Sequence, residues 1–303
     1  MESVAPVVLF VYNRLEHTRR TVSALARNLL AADTDLIIYS DASSSESAEE
    51  EVAAVRKYIN GISGFASVTI ICRERNWGLA NSIVDGVTSV VNECGRVIVL
   101  EDDIVTSPFF LMYMNEALER YADNNEVMHV AGYAPEMPLG DLKETFFLRQ
   151  TSCWGWATWK RAWSFFSKDS ELFIKAFTSA DITSFNLNGS YDYWSQLLEN
   201  HRGQRHTWAV FWYASVFLQE GLCLHPRASL VFNIGFDGTG TNCGAIETIQ
   251  REFEWTRKIS EFPAELKVCP VATMYFENTF SSAGERSAFS RLMWKFLKLV
   301  QRF

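Results

Sequence analysis

Along the first third of the chain, short apolar runs alternate with segments whose apolar positions recur every three to four residues. The runs Val7 to Tyr12, Leu36 to Ser40, Val68 to Cys72 and Val97 to Leu100 are rich in Val and Ile and bounded by polar residues, which predicts four buried strands. Between them, Val22, Leu25, Ala26, Leu29 and Leu30 keep helical spacing, and so do Leu79, Ile83, Val84, Val87, Val90 and Val91. A further helix is expected with Ser107 as N-cap and Pro108 at its first position, running to about Tyr121. Strand and helix in alternation specify an α/β fold, a mostly parallel Rossmann-like sheet with crossover helices. Beyond about residue 133 the alternation fades and aromatic residues crowd in. Seven of the ten tryptophans lie between Trp154 and Trp212, so the second half has a different task. The division expected is 1–132, 133–245 and a C-terminal extension 246–303.

Composition narrows the class. With 303 residues and 48% hydrophobic content the chain can bury a large core. Its net charge of -8 excludes a broad nucleic-acid-binding face, which needs Lys and Arg in excess. The six cysteines are scattered without a CxxC pair and are expected to be reduced and mostly buried. The N-terminus lacks the basic and apolar regions of a signal peptide, and no 18 apolar residues occur in succession. A cytoplasmic protein is the expectation.

Candidate chemistry gathers where the strands end, and open α/β sheets place ligands there. In RVIVLEDDIVTSP an apolar strand runs directly into Glu101, Asp102 and Asp103. Three adjacent acids repel one another unless a cation joins them, and Mg2+ or Mn2+ with oxygen ligands suits such a group. A solvated acidic turn is the alternative for the same letters. The first strand leads into Tyr12, Asn13 and Arg14 with no glycine in the turn, so a dinucleotide fingerprint is absent. Asn13 and Arg14 either contact a base, ribose or phosphate, or shape the turn and meet solvent. Asp41, after the second strand, is an acceptor for a base N–H or a cap for the next helix. The third strand opens into a loop holding Arg75, Asn76, Gly78 and Asn81 ahead of a helix N-terminus, which attracts anions.

These residues resemble the glycosyltransferase family 2 type of GT-A enzyme over roughly residues 6 to 245. The resemblance is carried by VLFVYNRLEHTRRTVSAL, YSDAS, RNWGLANSI, VIVLEDDIVTSPFF, SCWGWATWKRAW and SLVFNIGFDGTGTNC. The EDD with a later Gly-Trp segment is also similar to inverting N-acetylglucosaminyltransferases. The resemblance implies a nucleotide-sugar-binding half in 1–132 and an acceptor-binding half in 133–245. It implies that Tyr12, Asn13, Arg14, Asp41, Arg75, Asn76, Gly78 and Asn81 hold the nucleoside, with Glu101 and Asp102 near ribose and sugar. Asp103 would bind Mn2+ or Mg2+ bridging the diphosphate, and an acceptor hydroxyl activated by a carboxylate would attack the anomeric carbon with inversion.

Two departures stand out. Relatives often carry an Asp between the tryptophans that here flank Ala209, Val210 and Phe211. They also often place His where this chain has Asn242, a weaker second metal ligand. For the missing base, Asp192, Glu220, His206 and Asp237 are candidates, and Asp192 is preferred for its aromatic loop, although it could equally cap a helix.

Trp154, Gly155 and Trp156 suit a saccharide acceptor, because indole rings stack on the C–H face of a pyranose. Trp156, Trp159 and Trp163 also keep helical spacing, which fits core packing as well. Residues 286–303 mix Arg291, Lys295, Lys298 and Arg302 with bulky apolar residues. Such a helix either lies on an anionic membrane surface, the inner face of the plasma membrane, or packs on the domain. The first case suits a lipid-linked acceptor. The rivals are a sugar-phosphate nucleotidyltransferase, whose Gly-rich N-terminal loop is missing, and a non-catalytic nucleotide-sugar- or carbohydrate-binding protein.

Overall fold

The computed structural model describes residues 4–135, 137, 142–237 and 258–284. In chain order it contains β1 (Val7–Val11), α1 (Leu15–Ala26), β2 (Asp35–Ser40), α2 (Glu49–Ile59), β3 (Ser67–Cys72), α3 (Leu79–Cys94), β4 (Arg96–Glu101) and β5 (Ile104–Thr106). Then come α4 (Phe110–Arg120), β6 (Val127–Ala131), β7 (Thr145–Leu148), β8 (Trp156–Trp159), α5 (Lys160–Trp163), α6 (Ser170–Ala176), α7 (Ser179–Phe185) and α8 (Tyr193–His201). The chain closes with α9 (Ala209–Leu218), β9 (Leu222–Pro226), β10 (Val231–Asn233) and α10 (Pro270–Gly284).

All four expected strands are present within one residue at either end. They pair in parallel in the order β3-β2-β1-β4, and β1 is buried throughout because strands flank it on both sides and helices cover its faces. Register aligns their ends. Phe10 lies opposite Glu101, Val11 opposite Ser40, and Ser40 opposite Cys72, so the four strands end together. Their carboxyl ends therefore deliver Arg14, Asp41, the 73–78 loop and the acidic triplet to one edge of the sheet.

The second half extends the same sheet as β8-β6-β9-β7, with β8 antiparallel to both β4 and β6. Helix α2 was expected only as a helix following Asp41, without bounds. It buries only Val52, Val55 and Ile59 behind a Glu-rich first turn, which weakens its periodic signal. Regular helix α4 begins at Phe110, two residues later than expected, and Ser107 shapes the turn ahead of it: its Oγ accepts from Phe109 N at 3.2 Å and its carbonyl from Phe110 N at 3.1 Å.

The chain divides into two compact units. One contains described residues of 4–168 and 206–268; the other contains those of 169–205 and 269–284. In the second, Phe177 meets Phe185 and Trp194 with ring centroids 5.2 Å apart in each pair, and Asn188 Nδ2 donates to Glu277 Oε1 at 2.6 Å. In the first, Trp156 stacks on His129 and Trp208 and sits beside Trp163 and Trp212, so this tryptophan group is core. Of the five described cysteines, all free, Cys72 and Cys94 are exposed and Cys223 alone is buried, which corrects the expectation of mostly buried thiols. Among the described residues no helix is long and apolar enough to cross a membrane.

Gly155 shows how tightly β8 is joined to the site. Its φ is +60°, and a β-carbon there would lie 2.8 Å from Val231 Cγ1 and 3.1 Å from Phe110 Cε2. Left-handed strain and overpacking add, so Gly155→Ala is expected to lose about 2–4 kcal/mol of stability in urea unfolding.

Candidate active site

Strand β4 ends at Glu101, the chain turns through Asp102 and Asp103, and it continues as β5, which pairs with β10. Thr21 Oγ1 on α1 donates to the Asp102 carbonyl at 2.8 Å, and Ile234 N donates to the Asp103 carbonyl at 2.9 Å, so the turn is stitched from both sides. Asp102 and Asp103 are buried. Arg14, at the N-cap of α1, donates through Nη2 to Asp102 Oδ1 and, at 2.8 Å, to Asp103 Oδ2. Burial works against the Arg14 charge, but the two carboxylates outweigh it and hold its pKa above the ordinary value. Burial, reinforced by Asp103 and Asp102, pushes Glu101 well above the usual carboxylate range. Burial also raises Asp102 to about 6, against the pull of Arg14.

One guanidinium thus faces three carboxylates, and two polar atoms at the centre are unmatched. Asp103 Oδ1, an acceptor, and Arg14 Nη1, a donor, are buried without a hydrogen-bond partner. Leaving such atoms unpaired costs about 1–3 kcal/mol each, so a water or ligand that pairs them is favoured there. Gly235 keeps the space beside them clear: a β-carbon there would collide with Asp103 Oδ2 and lie 3.0 Å from Arg14 Nη1. Among the described residues no three His, Cys, Asp or Glu side chains form a metal cage. A divalent cation fits this donor set in the way Mg2+ commonly binds, through one carboxylate with the remaining oxygens from a phosphate ligand and water.

The other expected nucleoside contacts lie on the same strand ends. Tyr12 Oη and Ser44 Oγ share a 2.8 Å hydrogen bond, and Asn13 Nδ2 donates to Glu51 Oε2 at 2.6 Å. Asp41 caps no helix. Its carboxylate accepts from Trp77 N at 2.9 Å, Gly78 N at 2.8 Å and its neighbour Ala42 N at 2.9 Å, tying the 73–78 loop to the end of β2. Asn76 Nδ2 donates to the Ala42 carbonyl and Asn81 Nδ2 to the Trp77 carbonyl, while Arg75 is exposed. Arg73, absent from the expected set, stacks 4.0 Å over Trp77 and pairs with Asp85, so it braces the loop from behind.

In the second half, Trp154 is partly exposed, edge-on to Tyr133 and Phe236, whereas Trp156 is buried in the tryptophan core. Asp192 is the N-cap of α8, accepting from Ser195 N at 3.0 Å and Asn186 Nδ2 at 3.2 Å. Asn242 and residues 286–303 lie outside the described residues.

The loop bearing Trp154 hangs from two buried histidines. His129 Nδ1 accepts from Trp212 Nε1 at 3.1 Å, which leaves its Nε2 to donate to the Ser152 carbonyl at 3.0 Å; His225 Nε2 donates to the Gln150 carbonyl at 2.8 Å. Burial lowers His129 to about 3, helped by His225, and lowers His225 to about 4. An unfolded histidine takes up a proton near 6.5, so this stability is whole above that pH and is lost as pH falls toward the folded values. Each histidine is expected to contribute a slope of about 1.4 kcal/mol per pH unit below 6.5. Comparing urea midpoints of the wild type and His129→Gln at each pH isolates the effect, since the raised pKa of Asp102 acts in the opposite sense. Parallel pH profiles would contradict it.

Sequence reasoning missed Asn233, Gly235 and His17. Asn233 Oδ1 accepts from Gly235 N at 2.8 Å and shapes the turn that approaches Asp103. The only available signal was the Gly following Asn-Ile in NIGFDG, and nothing local told that its neighbour would be Asp103.

Residues 7–186 match the model of Glycosyl transferase family 2. No curated protein matches the chain. Among solved structures, the mannosyltransferase PcManGT from Pyrobaculum calidifontis, in complex with GDP-Man and Mn2+, is 10% identical with a TM-score of 0.41, covering 70% of this chain and 69% of its own. TarS from S. aureus is 14% identical with a TM-score of 0.30, and the match covers 46% of this chain and 24% of TarS. The sheet, with helices flanking its parallel half and ligand-type residues at the strand ends, is of the GT-A type.

Proposed function

The chain belongs to glycosyl transferase family 2, and from that premise we propose that it moves a hexosyl or N-acetylhexosaminyl group from a UDP-sugar to a saccharide hydroxyl, with inversion and with Mn2+ or Mg2+. The observation that carries the reading is the pair of unmatched buried atoms, Asp103 Oδ1 and Arg14 Nη1, at the end of β4. One wants a cation and the other an anion, and a metal diphosphate supplies both. Asp103 would hold the metal, with Asn242 as a second ligand. When bound, such a cation neutralises charge on the leaving nucleoside diphosphate. Arg14 favours the ionised form of Asp102 and aims the carboxylates of both Asp102 and Asp103. Asp41 holds the backbone of the loop whose Arg75, Asn76, Gly78 and Asn81, with Tyr12 and Asn13, face the nucleoside.

Trp154 would stack on the acceptor saccharide. The interleaved cations and apolar residues of 286–303 support an acceptor that is lipid-linked and met at an anionic membrane surface, at the cytoplasmic face of the plasma membrane. Such a reaction belongs to assembly of a cell-surface polysaccharide of the O-antigen kind.

A second reading, a nucleotide-sugar-binding protein without turnover, has one observation in its favour. Ala209, Val210 and Phe211, where relatives carry a carboxylate, open the apolar helix α9, with Val210 and Phe211 buried. Release of nucleoside diphosphate from UDP-, dTDP- and GDP-sugars with Mn2+ separates the two. Turnover of a UDP-sugar supports the enzyme; donor binding with no diphosphate released, to water or to any saccharide, supports the binding protein.

A further inference from the structure

We propose that Asp237 is the base that takes the proton of the attacking hydroxyl, with His17 as the residue that positions it; the proposal rests on the glycosyltransferase reading above. The chain lacks a carboxylate between Trp208 and Trp212, where the family resemblance implies the base. Asp192 spends its carboxylate on the cap of α8. Glu220 is exposed just past α9, and His206 is exposed in a loop.

Asp237 is placed differently. The segment after β10 is laid along the acidic turn: Ile234 N donates to the Asp103 carbonyl at 2.9 Å, and Gly235 abuts the Asp103 carboxylate and Arg14. The next residue, Phe236, turns its ring toward the partly exposed Trp154, with centroids 5.5 Å apart. Asp237 comes next, and its Oδ2 lies 3.1 Å from His17 Nε2. His17 lies one turn beyond Arg14 on α1, within electrostatic reach of Asp102.

Asp237 therefore stands on a short segment whose one neighbour is the diphosphate end of the site and whose other neighbour is the candidate acceptor platform. Its side chain is 41% exposed, unlike the triplet, so a hydroxyl arriving from solvent can reach it. Of the charged groups of the site, His17 contacts it directly, and His17 in turn lies within electrostatic reach of Asp102. In the step, the acceptor O–H proton passes to the Asp237 carboxylate and the oxygen lone pair forms the bond to the anomeric carbon. The bond from that carbon to the diphosphate oxygen breaks, and its electron pair leaves with the nucleoside diphosphate. His17 fixes the orientation in which the carboxylate meets the substrate.

The test uses the full chain with Mn2+, the four donors UDP-glucose, UDP-galactose, UDP-N-acetylglucosamine and UDP-N-acetylgalactosamine, and p-nitrophenyl glycosides as acceptors. In Asp237→Asn, kcat is expected to fall by about 10²- to 10⁴-fold, the range of general-base contributions. The donor KM and the calorimetric affinity for UDP with Mn2+ stay at wild-type values, and the acid limb of the kcat pH profile disappears. His17→Gln is expected to lower kcat by about tenfold and to displace that limb without abolishing it, which a purely structural role would not do. Should Asp237→Asn fail to fold, Asp237→Glu keeps the charge, and its kcat falls while its acid limb persists. An Asp237→Asn enzyme with wild-type kcat and pH profile overturns this proposal and leaves the glycosyltransferase reading standing. So does a variant that loses UDP affinity along with turnover. A wild type that binds UDP yet turns over none of the donors overturns both.

Discussion

Arg14→Met is expected to lower stability by about 3–5 kcal/mol at pH 8, the cost of stripping buried charges of their partner. Arg14 Nη2 reaches both Asp102 and Asp103, and its side chain is only 19% exposed, so solvent cannot replace it. The loss should be smaller at pH 6. Carboxyls whose pKa is already raised by burial can then escape the cost by taking up protons, Glu101 at about 8 before Asp102 at about 6. Chemical unfolding at the two pH values measures this. Arg14→Lys should recover part of the loss, because an ammonium offers a charge without the planar fork that spans two carboxylates. An equal loss at both pH values would mean that the guanidinium matters for packing and not for charge.

Asp103→Ala is expected to cost activity and not stability. Turnover should fall by about 10³-fold, the scale seen when one preorganised electrostatic group is removed from a transition state. The fold should be as stable as the wild type or more so, because one of three crowded acids is gone and Arg14 keeps Asp102. The same change removes the unpartnered Oδ1 and its desolvation cost. Release of nucleoside diphosphate and thermal unfolding on the same sample check both halves. A destabilised variant would place Asp103 among the structural acids.

Both residues could be picked out from the chain alone as strand-end candidates, Asp103 in the acidic triplet and Arg14 after the first strand. RVIVLEDD states its position through a period-free apolar run ending in acids, and the run is readable because a central parallel strand is buried on both faces. Arg14 was legible as a strand-end residue, but its partners 88 and 89 positions away were not. The same limit explains Asp41. Its local options were a helix cap or a ligand contact, whereas its partners are the backbone N–H groups of Trp77 and Gly78 on the neighbouring strand's loop. Register between β2 and β3 brings them together, and no single segment encodes that register.

The second half was harder for a different reason. Strands β7, β8 and β9 are short, antiparallel or mixed in pairing, and separated by irregular loops, so neither period dominates. The spacing of Trp156, Trp159 and Trp163 looked helical, yet Trp156 and Trp159 bound a strand and Trp163 ends a single helical turn. All three are buried as the core reading expected, but Trp156 and Trp163 join one tryptophan core while Trp159 packs in the other core cluster, its Nε1 donating to the Leu118 carbonyl. Gly235 shows what was out of reach: its importance lies in the space it leaves beside Asp103, which only the folded chain defines.

If Asp103 and Arg14 hold a nucleoside diphosphate through a divalent cation, UDP affinity must depend on that cation and uridine affinity must not. Calorimetric titration of UDP into the protein, first with Mn2+ and then with excess EDTA, tests this most directly, with uridine as the ligand lacking phosphates. Removing the metal is expected to weaken UDP by about 100-fold, roughly 2.7 kcal/mol, and to leave uridine unchanged. UDP affinity that is the same in EDTA as in Mn2+ would contradict it.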